Sequence, residues 1–419
     1  MMQCYESYKP SGLNWLGDIP SHWNLKKSKF LWREKEDRSL LGNEELLSVS
    51  QYSGVVPRAK DSRSESLEDY KRCEPNDLII NIMLAWMGGL GVSKHSGIVS
   101  PAYCVYRQLE DHNPSYFDYL YRTPQYLGDF ARRSKGVVPS RWRMYTEDFG
   151  QVLSLLPSRE EQDRIVAFLD QKTAEIDTAI AKKERLIELL NEQKHVLINH
   201  AITKGLNPIV QLRDSGFLWI GFIPAHWNIL RFKYCASITS GQVDPRRDPY
   251  ASMPLIAPNH IEPGTGKLLQ IETAREQGAD SGKYQLEAGD LIYSKIRPAL
   301  RKVCISPVAG LCSADMYVLR PRNFINKRYL LGYLLTDAFT QPALDAALRV
   351  AMPKVNREAL GDFPVLVPPL DEQEAIASFM LTCDERFNPV IDAAKGEIVK
   401  LSELRALLIA SVASGKIKV

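Results

Sequence analysis

The chain has 419 residues, 45% hydrophobic and 25% charged, with 25 Gly and 25 Pro. That length accommodates two or three domains with real apolar cores. No run of about 18 uncharged apolar residues occurs, which excludes a membrane-spanning helix. The start, MMQCYESYKPSGLNW, has no basic stretch followed by an apolar one, so no secretory leader is expected. The seven cysteines form no C-x-x-C pair and read as the reduced thiols of a cytoplasmic protein. The net charge of +3 divides into +1 over 1–148, −1 over 149–206, +4 over 207–348 and −1 over 349–419. A mild excess in two blocks fits nucleic-acid contact without requiring it.

Along the chain, a Trp- and Pro-rich stretch, SGLNWLGDIPSHWN (Ser11 to Asn24), comes first. Short β-rich runs follow at LLSVS (46–50), DLIINIML (77–84) and YCVYRQL (103–109), with Gly, Pro, Asn and Asp between them as expected of strands and tight turns. A helical patch covers 115–133, and a second helix opens after proline in LPSREEQDRIVAFLD (156–170). Ser158 and Glu161 form an S-x-x-E capping pattern there, and Gly205 stands where a helix would stop.

From Ser215 the chain begins again. SGFLWIGFIPAHWN repeats the first motif at an offset of 204, matching Trp15 with Trp219, His22 with His226 and Trp23 with Trp227. Asp77 to Arg107 aligns with Asp290 to Arg320 at an offset of 213, and Glu147 to Phe168 aligns with Glu358 to Phe379 at 211. The second copy has its own strands at PLIAP (254–258), DLIYSKI (290–296) and MYVLR (316–320), and a helical patch at 327–348. Its second helix opens at VPPLDEQEAIASFML (367–381), with Asp371 as the expected cap and Gly415 as the stop. A repeat this long is a tandem duplication of a mixed α/β unit, not a solenoid, whose repeats run about 20–50 residues.

Both helices carry heptads. In the first, Leu169, Ile176, Lys183, Leu190 and Leu197 take one seam position, and Thr173, Ile180, Ile187, Lys194 and Ala201 the other. In the second, Met380, Phe387, Ala394, Leu401 and Leu408 alternate with Asp384, Ile391, Ile398, Arg405 and Val412. Four heptads or more predict a coiled coil with helices of roughly 40 residues and about 60 Å. If the helices run antiparallel, seam positions pair at a constant sum of residue numbers. That places Lys194 opposite Asp384, and Thr173 opposite Arg405, as polar layers that set register. Charges at a frayed seam edge remain the alternative.

No phosphate-cradling loop is present: neither G-x-x-x-x-G-K-[ST] nor G-x-G-x-x-G occurs, nor H-E-x-x-H or G-x-S-x-G. His195 and His200 are five apart and off one helical face, and Glu160, Glu161, Asp371 and Glu372 sit where acidic groups favour a helix start. No catalytic, metal or cofactor site is expected. What remains is binding. Two globules on a stiff helical pair form a two-pronged ruler, and DNA, with a repeat of about 34 Å, rewards such spacing. SKIRPALRK (294–302) packs Lys295, Arg297, Arg301 and Lys302 together. SKGVVPSRWRMY (134–145) sets Lys135, Arg141 and Arg143 around Trp142, and Lys354 and Arg357 occupy the corresponding place in the second copy. Gln51 with Tyr52, and Asn259 with His260, lie at strand ends, where Gln and Asn suit adenine edges. Arg58, Lys60, Arg63, Lys94 and Lys267 complete the candidate DNA-facing set. Each of these taken singly also fits a solvated surface.

The I-P-x-H-W start, the D-L-I-x-S-K-I-R-P segment and the E/D-E-Q helix opening resemble the specificity subunit of type I restriction–modification systems. The resemblance covers essentially the whole chain. It implies target recognition domains at 1–148 and 207–359 and spacer helices at 149–206 and 360–419, the two helices antiparallel and the whole a pseudo-two-fold internal repeat. It implies a non-catalytic subunit that reads a bipartite, asymmetric double-stranded DNA site. Its implied partners are two modification subunits, which bind S-adenosylmethionine and methylate adenine, and restriction subunits that use ATP and Mg. A methylation-only or phage-defence assembly without a nuclease, and a coiled-coil scaffold binding only proteins, are the alternatives. One departure stands out: the first copy reads NIMLAWMGG where the second reads SKIRPALRK.

Overall fold

The computed structural model describes residues 3–51, 54–58, 67–138, 141–347 and 354–419. They form two compact units, Met1–Glu184 with Lys395–Val419, and Arg185–Ala394. Each unit is built on a four-stranded antiparallel sheet. In the first unit its order is Trp32–Glu34, Tyr103–Gln108, Leu78–Asn81, Leu90–Val92. In the second it is Ala236–Ile238, Met316–Pro321, Leu291–Ser294, Val303–Ile305.

The period-two geometry of a strand explains why the central run is apolar throughout. Leu78 and Ile80 point into a core with Tyr116, Phe117, Leu120 and Phe130 of the helices Pro114–Tyr121 and Pro124–Arg133. Ile79, on the opposite face, packs with Leu47, Val49, Val55 and Val105. The second unit repeats this division: Leu291 and Tyr293 face the helix side with Tyr329 and Tyr333, and Ile292 faces Ile256, Cys304 and Val318. Asn113 and Asn326 cap the equivalent helices, their side chains accepting backbone N–H groups of the first turn.

The units differ on the far side of that sheet. The second carries a five-stranded sheet in the order Gln242–Val243, Lys283–Leu286, Gly310–Cys312, Pro254–Ile256, Glu272–Thr273, with one parallel pair. Among the described residues the first has two separate strand pairs, Leu47–Ser50 with Gly54–Pro57 and Lys71–Cys73 with Gly97–Val99, tied by a parallel bridge between Leu46 and Ile98.

Two long helices, Arg159–Lys204 and Leu370–Ala413, divide between the units at Glu184 and Lys395. Ser158 caps the first as expected, its Oγ accepting the Glu161 N–H at 3.3 Å. Glu161 does not complete a capping box; its carboxylate accepts from His22 at 3.0 Å. Asp371 lies inside the first turn of the second helix rather than at its cap, because the Pro369 carbonyl already takes the Gln373 N–H at 3.0 Å. Gly415 ends that helix at φ +75°, and a Cβ there would press on Pro20 and Trp23 at 2.7–2.9 Å, so only glycine fits.

The helices are antiparallel within each unit. In the first, Asp177 pairs with Arg405 at 2.9 Å and Lys183 with Glu397 at 2.5 Å. In the second, Lys194 pairs with Asp384 at 2.5 Å and also donates to Asn388 at 2.9 Å, while Ile376 packs in one core with Ala201 and Ile202. Every predicted seam position is buried or half-buried, including Ile176, Ile180, Ile187, Leu190, Leu197, Phe387, Ile391, Ile398, Leu401 and Leu408. The Lys194–Asp384 layer is present. Thr173 and Arg405 are not bonded to each other: the Thr173 hydroxyl donates to its own Leu169 carbonyl at 2.8 Å, and Arg405 takes the carboxylate of Asp177. A short hydroxyl satisfied by its own helix leaves a long guanidinium to seek the nearest acid.

Candidate nucleic-acid interface

In the second unit the strand Leu291–Ser294 runs into a turn in which Arg297 and Arg301 both adopt left-handed backbone, at φ +48° and +46°, on either side of the short helical turn Pro298–Leu300. Such conformations are uncommon for side chains of this size and cost of order 1–3 kcal/mol each. The surroundings hold them: Gly264 donates to the Leu300 carbonyl at 3.1 Å, Arg301 donates to the Leu335 carbonyl at 3.1 Å, and Arg301 also binds the Asp337 carboxylate. Arg301 is thus engaged inside the fold, while Arg297 projects outward. Lys302 is half-buried and donates to the Pro258 carbonyl at 2.6 Å.

Beside this turn, Val355 N–H donates to the Lys295 carbonyl at 2.8 Å, and Ile296 bridges to Lys354. Lys295 Nζ and the Arg357 guanidinium lie 5.5 and 5.9 Å from the centre of the Tyr317 ring. Burial raises the Tyr317 phenol above its ordinary value, so at neutral pH the ring is an uncharged platform for both cations. Arg357 also donates to Ser240 Oγ and the Thr239 carbonyl, each at 3.0 Å. Lys295, Lys354 and Arg357 therefore form one basic group.

Asn259 and Lys267 are exposed, but His260 is 0% exposed, with Nδ1 accepting the Ala257 N–H at 3.2 Å. This corrects the reading of His260 as a base-edge reader: it shapes the turn from within. Sequence reasoning passed over Arg246, Arg247 and Arg275, whose side chains are 67, 82 and 70% exposed. The P-R-R run after Asp244 was the available signal. Hydrogen bonds from Arg246 hold the Asp244 carboxyl down to about 2.

The corresponding place in the first unit is apolar. Met144 N–H donates to the Ile82 carbonyl at 2.9 Å, as Val355 does to Lys295, and Trp86 packs edge-on against Trp142 at 5.2 Å. Lys135 pairs with Asp148 at 2.9 Å, an interaction that raises the lysine above its usual range, and Arg141 is exposed. Arg143 is half-exposed and bonded to the Trp142 carbonyl. Arg58 and Lys94 are exposed, and Gln51 is half-buried with its carbonyl accepting from Arg122 at 2.9 Å. Tyr52, Lys60 and Arg63 lie outside the described residues.

All seven cysteines are free thiols. Among the described residues no group of three or more His, Cys, Asp or Glu side chains is placed to hold a metal ion, and no helix is long and apolar enough to cross a membrane.

The fold and its loops define a class: a mixed α/β domain, duplicated, with each copy completed by antiparallel long helices. Comparison with known proteins shows what this class is similar to. Residues 239–394 match the family model described as the type I restriction modification DNA specificity domain. The chain is 33% identical over 247 residues to the type I restriction enzyme EcoDI specificity subunit of Escherichia coli, covering 55% of this chain and 54% of that protein. It is 24% identical over 280 residues to the type I restriction enzyme MjaVIII specificity subunit of Methanocaldococcus jannaschii, covering 63% and 62%. The chain thus matches less than two thirds of the length of either relative. Among solved structures, a chain from work on complex assembly and conformational transition of the type I R-M system aligns over 94% of this chain and 98% of its own, with a TM-score of 0.68 at 15% identity, a likeness of fold. These findings bear out the family resemblance read from the repeated motifs.

Proposed function

We propose that the chain is the non-catalytic DNA specificity subunit of a type I restriction–modification complex. Each unit reads one half of a bipartite, asymmetric double-stranded sequence, and the paired helices set the number of base pairs between the halves. The observation that carries this reading is the duplication: one sheet order appears twice, with different exposed loops leaving the equivalent strand ends. A shared frame with variable loops is what two readers of different sequences need. Lysines and arginines on those loops supply phosphate contacts and hence salt-dependent affinity, and polar side chains in the grooves supply sequence choice.

Methyl transfer belongs, in this reading, to two modification subunits that bind S-adenosylmethionine, and ATP- and Mg-dependent translocation and cleavage to restriction subunits. Exposed apolar side chains on the outer faces of the helices, Leu186, Leu189 and Val196 in the second unit and Leu404 and Leu407 in the first, support docking of such partners. The test is the methylome of the host with and without this gene. A bipartite methylated-adenine motif should vanish on deletion, and an added helical turn of about 5.4 Å in either long helix should change its gap. An unchanged methylome after deletion would overturn the proposal.

A further inference from the structure

In both units a histidine of the repeated Trp- and Pro-rich motif meets a glutamate in the first turn of a long helix, His22 with Glu161 and His226 with Glu372. What lies over the pair differs. In the first unit Tyr5 covers it, with its ring centre 5.5 Å from that of His22 and 5.8 Å from that of Trp23, and the Glu161 side chain is left only 5% exposed. Burial, and after it the Glu161 carboxylate, raise the Tyr5 phenol far above its ordinary value, so the group stays a neutral O–H. Two stretches close over this place. The Lys418 N–H donates to the Gln3 carbonyl at 2.8 Å, and the Tyr8 hydroxyl donates to the Lys416 carbonyl at 3.5 Å.

In the second unit a single link, 205–212, crosses the same place. At the repeat offset of 204, Ile209 stands for Tyr5, and its side chain is 89% exposed. Among the described residues nothing takes the position of the Tyr5 ring. The Glu372 side chain is therefore 37% exposed, and a cavity of about 290 Å³ opens, lined by Leu206, Val210, Pro224, His226, Glu372 and Ala375. Small-molecule sites run about 300–1,000 Å³, so this one suits a single large side chain. The Glu372 oxygens accept from His226 at 2.5 Å and from the Trp227 indole at 2.9 Å. A carboxylate has about four acceptor positions, so a further O–H can be taken. The rim is also more apolar than its counterpart. Phe222 and Leu206 are exposed where the first unit has Asp18 and Lys416.

We propose that this cavity receives a tyrosine side chain of one modification subunit, which makes the two modification subunits bind with unequal strength. The proposal rests on the reading of the chain as a specificity subunit. The first unit shows the chemistry of the occupant: a phenol set against histidine, tryptophan and glutamate. The surface shows the direction of approach. Val196, His200 and Lys204 are spaced i, i+4, i+8 on one stripe of the helix Arg159–Lys204, and they lead from its exposed apolar face to the cavity. A partner seated on that face reaches the cavity at its end. On the first unit the equivalent place is already filled by Tyr5, so the same tyrosine finds no seat there. A buried aromatic anchor in a preformed pocket dominates an interface, so the second unit holds its partner more tightly.

The test titrates the full chain with the host's modification subunit and follows assembly by native mass spectrometry. Two steps at least tenfold apart in Kd are expected. Ala375 is exposed at the cavity wall, so A375F folds while filling the space; it should weaken the tighter step about 30-fold and spare the weaker one. A375S leaves the cavity open and should behave as wild type. With p-benzoylphenylalanine in place of Ile209, light should cross-link the chain to one tyrosine-bearing segment of the modification subunit. Changing that tyrosine to alanine should reproduce the 30-fold loss and add nothing when combined with A375F. Two equal steps, an A375F complex that assembles like wild type, or a cross-linked segment without tyrosine overturns the proposal while leaving the specificity reading in place. A dimer of the chain alone that A375F dissociates also overturns it and makes the occupant a second copy. If the wild-type chain binds no modification subunit at all, the specificity reading fails with it.

Discussion

In the first unit Gln162 accepts the Asn113 N–H at 2.8 Å and donates to the Pro157 carbonyl at 2.9 Å; in the second, Gln373 accepts the Asn326 N–H and donates to the Pro368 carbonyl, both at 2.8 Å. His22 meets Glu161 in one and His226 meets Glu372 in the other. Asp77 and Asp290 each accept a backbone N–H three residues upstream at 2.8 Å. Away from these points the units part company, at the five-stranded sheet of the second and at the loops that are apolar in one and basic in the other. The lesson is that the frame is held by the same side-chain hydrogen bonds in both copies, while the loops answer to whatever they contact.

The largest expected effect tests the shared frame. Trp23→Ala and Trp227→Ala each empty a fully buried site and should cost about 3–5 kcal/mol, measured by denaturant unfolding. The phenylalanine variants sharpen the comparison. Trp227 donates its indole N–H to Glu372 at 2.9 Å, whereas that of Trp23 has no acceptor among the described residues. Trp227→Phe should therefore cost about 1 kcal/mol more than Trp23→Phe. Equal costs would break the distinction.

Acid separates the units next. His112 is buried between Trp32 and Phe117, and burial pushes its imidazole down to about 4; the matching position in the second unit is Ile325. Because the folded form disfavours the charged ring, stability is complete above the unfolded value near 6.5 and falls as pH drops toward 4. The loss reaches about 3 kcal/mol. His112→Ile should remove that pH dependence from the first unit's unfolding transition, and a profile that stayed the same would assign the acid lability elsewhere.

Arg301 and Arg297 make a smaller contrast within one loop. Arg301→Ala should destabilise the second unit by about 1–2 kcal/mol, since its partner Asp337 is largely exposed and the Leu335 carbonyl loses a charged donor. Arg297→Ala should leave the melt unchanged and weaken DNA binding. The smallest effect is at Arg247, whose removal should alter only the salt slope of DNA binding, by about 1, read in a gel-shift titration.

The duplication, the two helices, their seam and the Lys194–Asp384 layer were legible because each rests on periodicity or on an offset between two copies in one chain. The partner of Arg405 was not: a constant-sum rule places backbones opposite one another, but a long side chain can pass over Thr173 to Asp177. Nor could strand-end position alone reveal that His260 points inward, or that Arg301 is claimed by Asp337 and Leu335. The exposed arginines 246, 247 and 275 escaped because attention to repeated motifs passes over what only one copy has.

The order of residues by itself determined a mixed α/β unit written twice and two heptad-bearing helices, since hydrophobic spacing and proline and glycine punctuation act locally along the chain. Tertiary structure decided which cations are free and which are consumed by carbonyls and carboxylates of the fold. It also decided that Pro389 sits inside an unbroken helix, between the buried Phe387 and Ile391. The physical reason is the same in each case: a side chain's partners, and the burial that outweighs a local preference, come from residues far away in the chain.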